Sequence, residues 1–156
     1  MPTLESIQRM MPQKDWETIN DDRAQHDMAA GAQRGNEYPV TIARRYGPIR
    51  NLADFVRKAQ LANYEAFRAM YEGRNSKMFT QTTGVLTWMS HPAQPSFVWQ
   101  LDHYDLEPNA ALYAVKKAAE PVHVQFNEAD RDVEVVNNLP EPLHSLKVKQ
   151  TVYRLH

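Results

Sequence analysis

Apolar residues recur along this chain at three different spacings, and each spacing predicts a different kind of element. In residues 2–11, Leu4, Ile7 and Met10/Met11 fall at helical intervals, so a short helix is expected. Residues 12–39 are polar, lack clean periodicity and hold two of the five glycines. They predict a long loop with a helical turn or two; in compact domains such loops are functional or disordered. A weak helical pattern follows over residues 40–46 and stops at Gly47-Pro48. The strongest signal comes next. Leu52, Phe55, Val56, Ala59, Ala62, Ala66, Phe67 and Met70 form one apolar stripe at the 3.6-residue period. Asn51 suits the N-cap with Asp54 reaching back, and Gly73 stands where a terminating glycine is expected.

The spacing then changes twice. Residues 84–89, GVLTWM, are apolar and β-rich without alternation, which fits a strand covered on both faces, as in a parallel sheet. A helix is expected over residues 109–119, bracketed by Pro108 and Pro121. Beyond Pro121 the texture alternates: VHVQF, DVEVVNN and SLKVKQTVYRL read as three half-exposed antiparallel strands. Val122, Val124 and Phe126 share one face, which puts His123 on the other, expected to be the solvent side. A boundary therefore falls near Glu120, dividing residues 1–120 from 121–156. Neither half is complete. A buried parallel-type strand needs sheet neighbours, and three antiparallel strands do not make a sandwich.

Composition narrows the function. The chain has 156 residues and a formal net charge of −1, from 18 basic and 19 acidic side chains. It therefore offers no basic field for nucleic acid. There is no cysteine, which excludes disulfides, thiolate nucleophiles and cysteine-based zinc sites. No apolar run approaches the roughly 20 residues of a membrane span, and the N-terminus is too polar for a signal peptide. The compartment stays open: cytoplasmic, or periplasmic or secreted if a longer parent is exported. In Asp102 to Asp105, DHYD, metal-capable side chains occur without any zinc or calcium spacing, so no metal or cofactor is expected.

Three strings carry a resemblance: YGPIRNLADFVRKAQLANYEAFRAMYEG, TTGVLTWMSHPAQPSFVWQLDHYDLEPNAALYAVKKAAEPVHVQF and DVEVVNN. Together they resemble the multidomain glycosidases of glycoside hydrolase family 2, in the exo-β-glucosaminidase and β-mannosidase branch. PTLESIQRMM is similar to the stretch just downstream of that branch's nucleophile. The resemblance implies a mixed α/β then β fold: the C-terminal segment of a (β/α)8 TIM barrel, then the first strands of an immunoglobulin-like β-sandwich. Residues 84–89 would be the eighth barrel strand, residues 52–71 the helix before it, and residues 109–119 the closing helix.

On that frame, chemistry and binding separate. The parent would be a retaining exo-β-glycosidase acting on glucosaminide-, mannoside- or galactoside-type substrates, and such enzymes need two carboxyl groups about 5–5.5 Å apart. The resemblance puts both upstream of Met1, so no catalytic residue is assigned here. Asp102, Asp105 and Glu107 read as solvated loop residues. Groups at the C-terminal end of a barrel strand line the active site. Trp88, Ser90 and His91 are therefore expected to wall a sugar subsite, where an indole face suits sugar C–H groups. His26, Asp22 and Asp27, in the long loop, are candidate hydroxyl partners at the rim. Where this chain has Gln94 the branch often shows an aromatic, so no stacking platform is placed there. Trp99 reads as core. The expected partners are a carbohydrate and the rest of the barrel, and uncovered edges favour self-association. The rival readings are a non-catalytic carbohydrate-binding or accessory fragment, and a helical interaction protein using the stripe from Leu52 to Met70.

Overall fold

The computed structural model describes residues 1–17, 26, 37–97 and 101–154. Elements described in full are α1 (Leu4–Met10), α2 (Glu37–Tyr46), α3 (Leu52–Ser76), α4 (Ala110–Ala118), β1 (Val122–Asn127) and β2 (Asp132–Asn137). A 3-10 turn, Gln13–Asp15, follows α1. Thr3 starts α1 by accepting the Ser6 N–H through its hydroxyl oxygen at 3.2 Å.

The first half of the central helix's apolar stripe forms the core, while Ala66 and Met70 farther along it are exposed. Asn51 caps α3 by accepting the Asp54 N–H at 2.9 Å. Asp54 in turn accepts the Arg50 N–H and contacts Lys58, Arg57 and Arg50. These cations hold its carboxyl well below the usual range: Lys58 contributes most, against the opposing effect of desolvation. Leu52, Phe55, Val56 and Ala59 are buried against Met1, Ile7 and Met11 from the first segment, Ile42 from α2 and Phe97. Tyr38 meets Phe55 edge-on, with ring centroids 6.0 Å apart.

The second half of α3 does not stop at Gly73. It runs to Ser76, and the expected C′ glycine lies inside the helix. The reason is tertiary: Asn75 donates to the Ala118 carbonyl at 2.9 Å and faces Gln125, so contacts past the glycine offset its roughly 1 kcal/mol cost. α4 lies along α3 on its buried alanines, Ala111, Ala114 and Ala118. Gln60 receives the Ala110 N–H at one end of α4, and Asn75 holds Ala118 at the other. The two helices therefore run parallel, and residues 77–109 carry the chain back between them.

β1 and β2 pair antiparallel, with Val124 opposite Val135 and Phe126 opposite Val133. The register matches the alternation, but the orientation reverses one expectation. His123 and Gln125 are buried against α3, while Val122, Val124, Phe126 and Val135 face solvent. His123 is thus an interior residue, because the side of the hairpin that meets the helix is its polar one.

Two expected strands do not form. Residues 84–89 have no ladder partner, and Leu86 is fully exposed. Helices alone cannot satisfy the backbone groups that a central strand presents to its neighbours. Residues 146–154 are exposed and form no strand, and Ser145 before them sits at a bend in the left-handed region. Among the described residues, no helix is long and apolar enough to cross a membrane.

Candidate functional site

The candidate residues sit where the return segment emerges beside α3. Tyr71 on α3 lies 3.1 Å, hydroxyl to hydroxyl, from Thr87, which fixes the backbone one residue before Trp88. Arg74 donates to the Thr83 carbonyl, and Thr82 donates back to the Arg74 carbonyl at 3.0 Å. Trp88 itself is 77% exposed. It is not a core indole in this chain. Met89 follows in the left-handed region at φ 58°, turning the chain away from the extended run.

Beyond that turn the segment is anchored by its backbone. The Ser90 carbonyl accepts from the Leu101 and Asp102 N–H groups, each at 3.1 Å. Ser90 and His91 are both exposed, while Pro92, Ser96 and Phe97 are buried beneath them. His26 reaches the same loop from the far side of the sequence. Its carbonyl accepts the Phe97 N–H at 3.1 Å, and its Nδ1 lies 2.9 Å from the Pro95 carbonyl. A carbonyl can only accept, so Nδ1 carries the proton of this contact and Nε2 is left for another partner. The structure therefore links His26 to the loop that carries Ser90 and His91. Asp22, Asp27 and Trp99 lie outside the described residues.

Two polar groups near this loop were not singled out as structural by the sequence. Asp105 is no solvated loop residue. It accepts from the buried Ser6 hydroxyl at 2.9 Å and from Arg9 Nε at 3.1 Å, tying the loop to α1. Burial pushes its carboxyl up, but those hydrogen bonds outweigh it and hold the group below its ordinary value. His103 is 1% exposed, and neither ring nitrogen has a hydrogen-bond partner. Burial, with the Met1 α-amino group acting in the same direction, pushes it down to about 4. The Met1 carbonyl faces the ring without meeting hydrogen-bond geometry. A histidine one residue from an aspartate and a tyrosine reads as loop; here it is buried with the N-terminal residue Met1 beside it.

Shallow hollows occur away from these residues. One of about 240 Å³ is lined by Glu72, Gly73, Gln125 and Phe126 at the junction of α3 and the hairpin, and holds none of the candidate residues. Trp88 therefore stands on an open surface and not in a closed pocket. Among the described residues, no group of three or more histidine, aspartate or glutamate side chains is placed to hold a metal ion.

Comparison with known proteins gives this surface a context. The chain is 38% identical over 160 residues to an exo-β-D-glucosaminidase of Streptomyces avermitilis, a match covering 98% of this chain and 18% of that protein. It is 41% identical over 110 residues to a mannosylglycoprotein endo-β-mannosidase of Lilium longiflorum, over 70% of this chain and 12% of the relative. Among solved structures, the exo-chitosanase of Amycolatopsis orientalis superposes with a TM-score of 0.76 at 34% identity, covering 88% of this chain and 17% of that one. A β-mannosidase from Dictyoglomus thermophilum shares the fold at the same TM-score and 20% identity. No family model matches the chain. The chain spans less than a fifth of the length of these relatives.

Proposed function

We propose, from the premise that this chain is homologous to one segment of the family 2 exo-β-D-glucosaminidases and β-mannosidases, that it is the active-site-wall segment of a retaining exo-β-glycosidase. Residues 1–120 are the last part of its (β/α)8 barrel, and residues 121–156 open an immunoglobulin-like sandwich. The observation that carries this reading is the parallel packing of α3 and α4, with residues 82–87 running back along α3. Parallel neighbours need a return crossover, and helix, strand, helix with the strand antiparallel to both is the repeat of such a barrel. Residues 84–89 are then the eighth strand, lacking the neighbours that would pair it.

The uncovered surfaces support the same reading. Phe79, Leu86, Trp88 and three of the hairpin's valines, Val122, Val124 and Val135, are all exposed, more bare apolar surface than a finished monomer needs. In the complete protein Trp88 offers its indole to the sugar's C–H face, and Ser90 and His91 supply hydrogen bonds at the strand's end. His26 joins them from the rim as an Nε2 acceptor for a sugar hydroxyl, alongside Asp22 and Asp27. The chain supplies no catalytic carboxylate, so glycosyl transfer to a nucleophile and its hydrolysis belong to polypeptide that precedes it.

The purified chain should therefore not hydrolyse aryl β-glucosaminides, β-mannosides or β-galactosides. Turnover that co-purifies with the chain through independent preparations, and that disappears with Trp88→Ala, would refute the proposal. The same uncovered surfaces should make the isolated chain self-associate.

A further inference from the structure

The hairpin meets α3 through polar side chains, and one of them faces acids on two sides. His123 is buried, with Nε2 2.8 Å from Glu72 Oε1 on α3. Its Nδ1 lies 3.7 Å from Glu120 Oε2, just past α4, and makes no hydrogen bond. The other charged groups around it are already engaged. Arg68 donates to the same Glu72 oxygen at 2.8 Å, and Lys117 to the Glu120 carboxylate at 2.9 Å. On the strand side, Gln125 donates to the Glu72 carbonyl at 2.8 Å and to Glu134 at 3.2 Å.

The proton count of this ring decides how well the junction closes. A carboxylate only accepts, so the short contact to Glu72 requires a proton on Nε2. The neutral ring then turns the lone pair of Nδ1 toward the Glu120 carboxylate, a buried acceptor facing an acceptor. A second proton converts that contact into a charge-assisted one. We propose that His123 is a proton-operated pin: carrying two protons it clamps the hairpin to α3 and the end of α4, and carrying one it loosens that junction. The pin also bears on the candidate site, because Tyr71, next to Glu72 on α3, holds Thr87 beside Trp88. It does not depend on what Trp88 binds.

Amide hydrogen exchange on the full 156-residue chain tests this. With exchange corrected for its intrinsic pH dependence, β1 amides are compared with those of the first turns of α3. The ratio removes any change in global stability. Protection of β1 should fall at least fivefold between pH 5.5 and 8.5. In His123→Gln the side-chain amide still donates to Glu72 but takes no second proton, and the change should shrink to less than twofold. A flat wild-type profile, or the same fall in the variant, overturns the proposal. Nitrogen NMR of the His123 ring decides the matter even if the variant does not fold. Two ring protons at pH 5.5 and one at pH 8.5 are expected, and the same count at both overturns it.

Discussion

Phe55→Ala should cost the chain about 3–5 kcal/mol and lower its melting temperature by roughly 10 °C. Phe55 is 3% exposed and lies where α1, α2 and α3 converge. Truncation removes its transfer free energy and leaves a cavity that the surrounding helices cannot close. It also ends the edge-on contact with Tyr38, a kind of pair worth about 0.5–1.5 kcal/mol beyond area. Domains of this size are stable by only about 5–15 kcal/mol, and this one leaves much apolar surface uncovered. The variant should therefore be near its unfolding threshold at room temperature. Phe79→Ala is the matched control: the same atoms leave, but from a side chain that is 77% exposed, and stability should move by less than about 0.5 kcal/mol. Equal losses in the two variants, read from urea midpoints, would contradict the assigned core.

Acidification should produce the second large effect, through His103. Its folded-state value of about 4 lies below the ordinary 6.5, so the folded chain holds this proton less tightly than the unfolded one. Stability from such a group is fully present above pH 6.5 and is lost as the pH falls toward 4, by roughly 2–3 kcal/mol in all. More than half of that loss should arrive by pH 5. The depressed carboxyls of Asp54, Asp105 and Glu120 act in a lower window, since their stabilising effect disappears only as pH falls below the ordinary carboxylate range. His103→Leu keeps the site apolar and cannot titrate. Between pH 6.5 and 5 its unfolding free energy should fall at least 1 kcal/mol less than that of the wild type. Parallel pH profiles for the two would show that His103 does not titrate in this way.

What could be read from the sequence depended on how local the deciding physics was. The α3 stripe and its Asn51 cap were legible because periodicity and capping involve residues within a turn of each other. The hairpin's alternation was legible for the same reason: period two fixes which residues of a strand share a face. Which face meets the helix was not, because Val122, Val124 and Phe126 look like an inward face and only the polar clasp of Glu72 and Asn75 turns them out. Gly73 looked like a helix end because nothing near it in sequence shows that Asn75 holds Ala118. His103 looked like a loop residue because its neighbour Met1 is about a hundred positions away in sequence. At the candidate site, position after an extended apolar run pointed to Trp88, Ser90 and His91. The ties that place them, Tyr71 to Thr87 and His26 to Pro95, join residues far apart in the chain and leave no pattern.

The central claim is that this chain forms one wall of a sugar site whose carboxylates lie on preceding polypeptide. Its most direct test is a transplant: residues 1–156 replace the matching stretch of the Amycolatopsis orientalis exo-chitosanase, and kcat/KM is measured on p-nitrophenyl β-D-glucosaminide. The account predicts an active chimera in which Trp88→Ala lowers kcat/KM roughly 100-fold, about 2.7 kcal/mol of transition-state stabilisation, while Phe79→Ala changes it less than twofold. A folded chimera without activity, or an active one indifferent to the loss of Trp88, would contradict it.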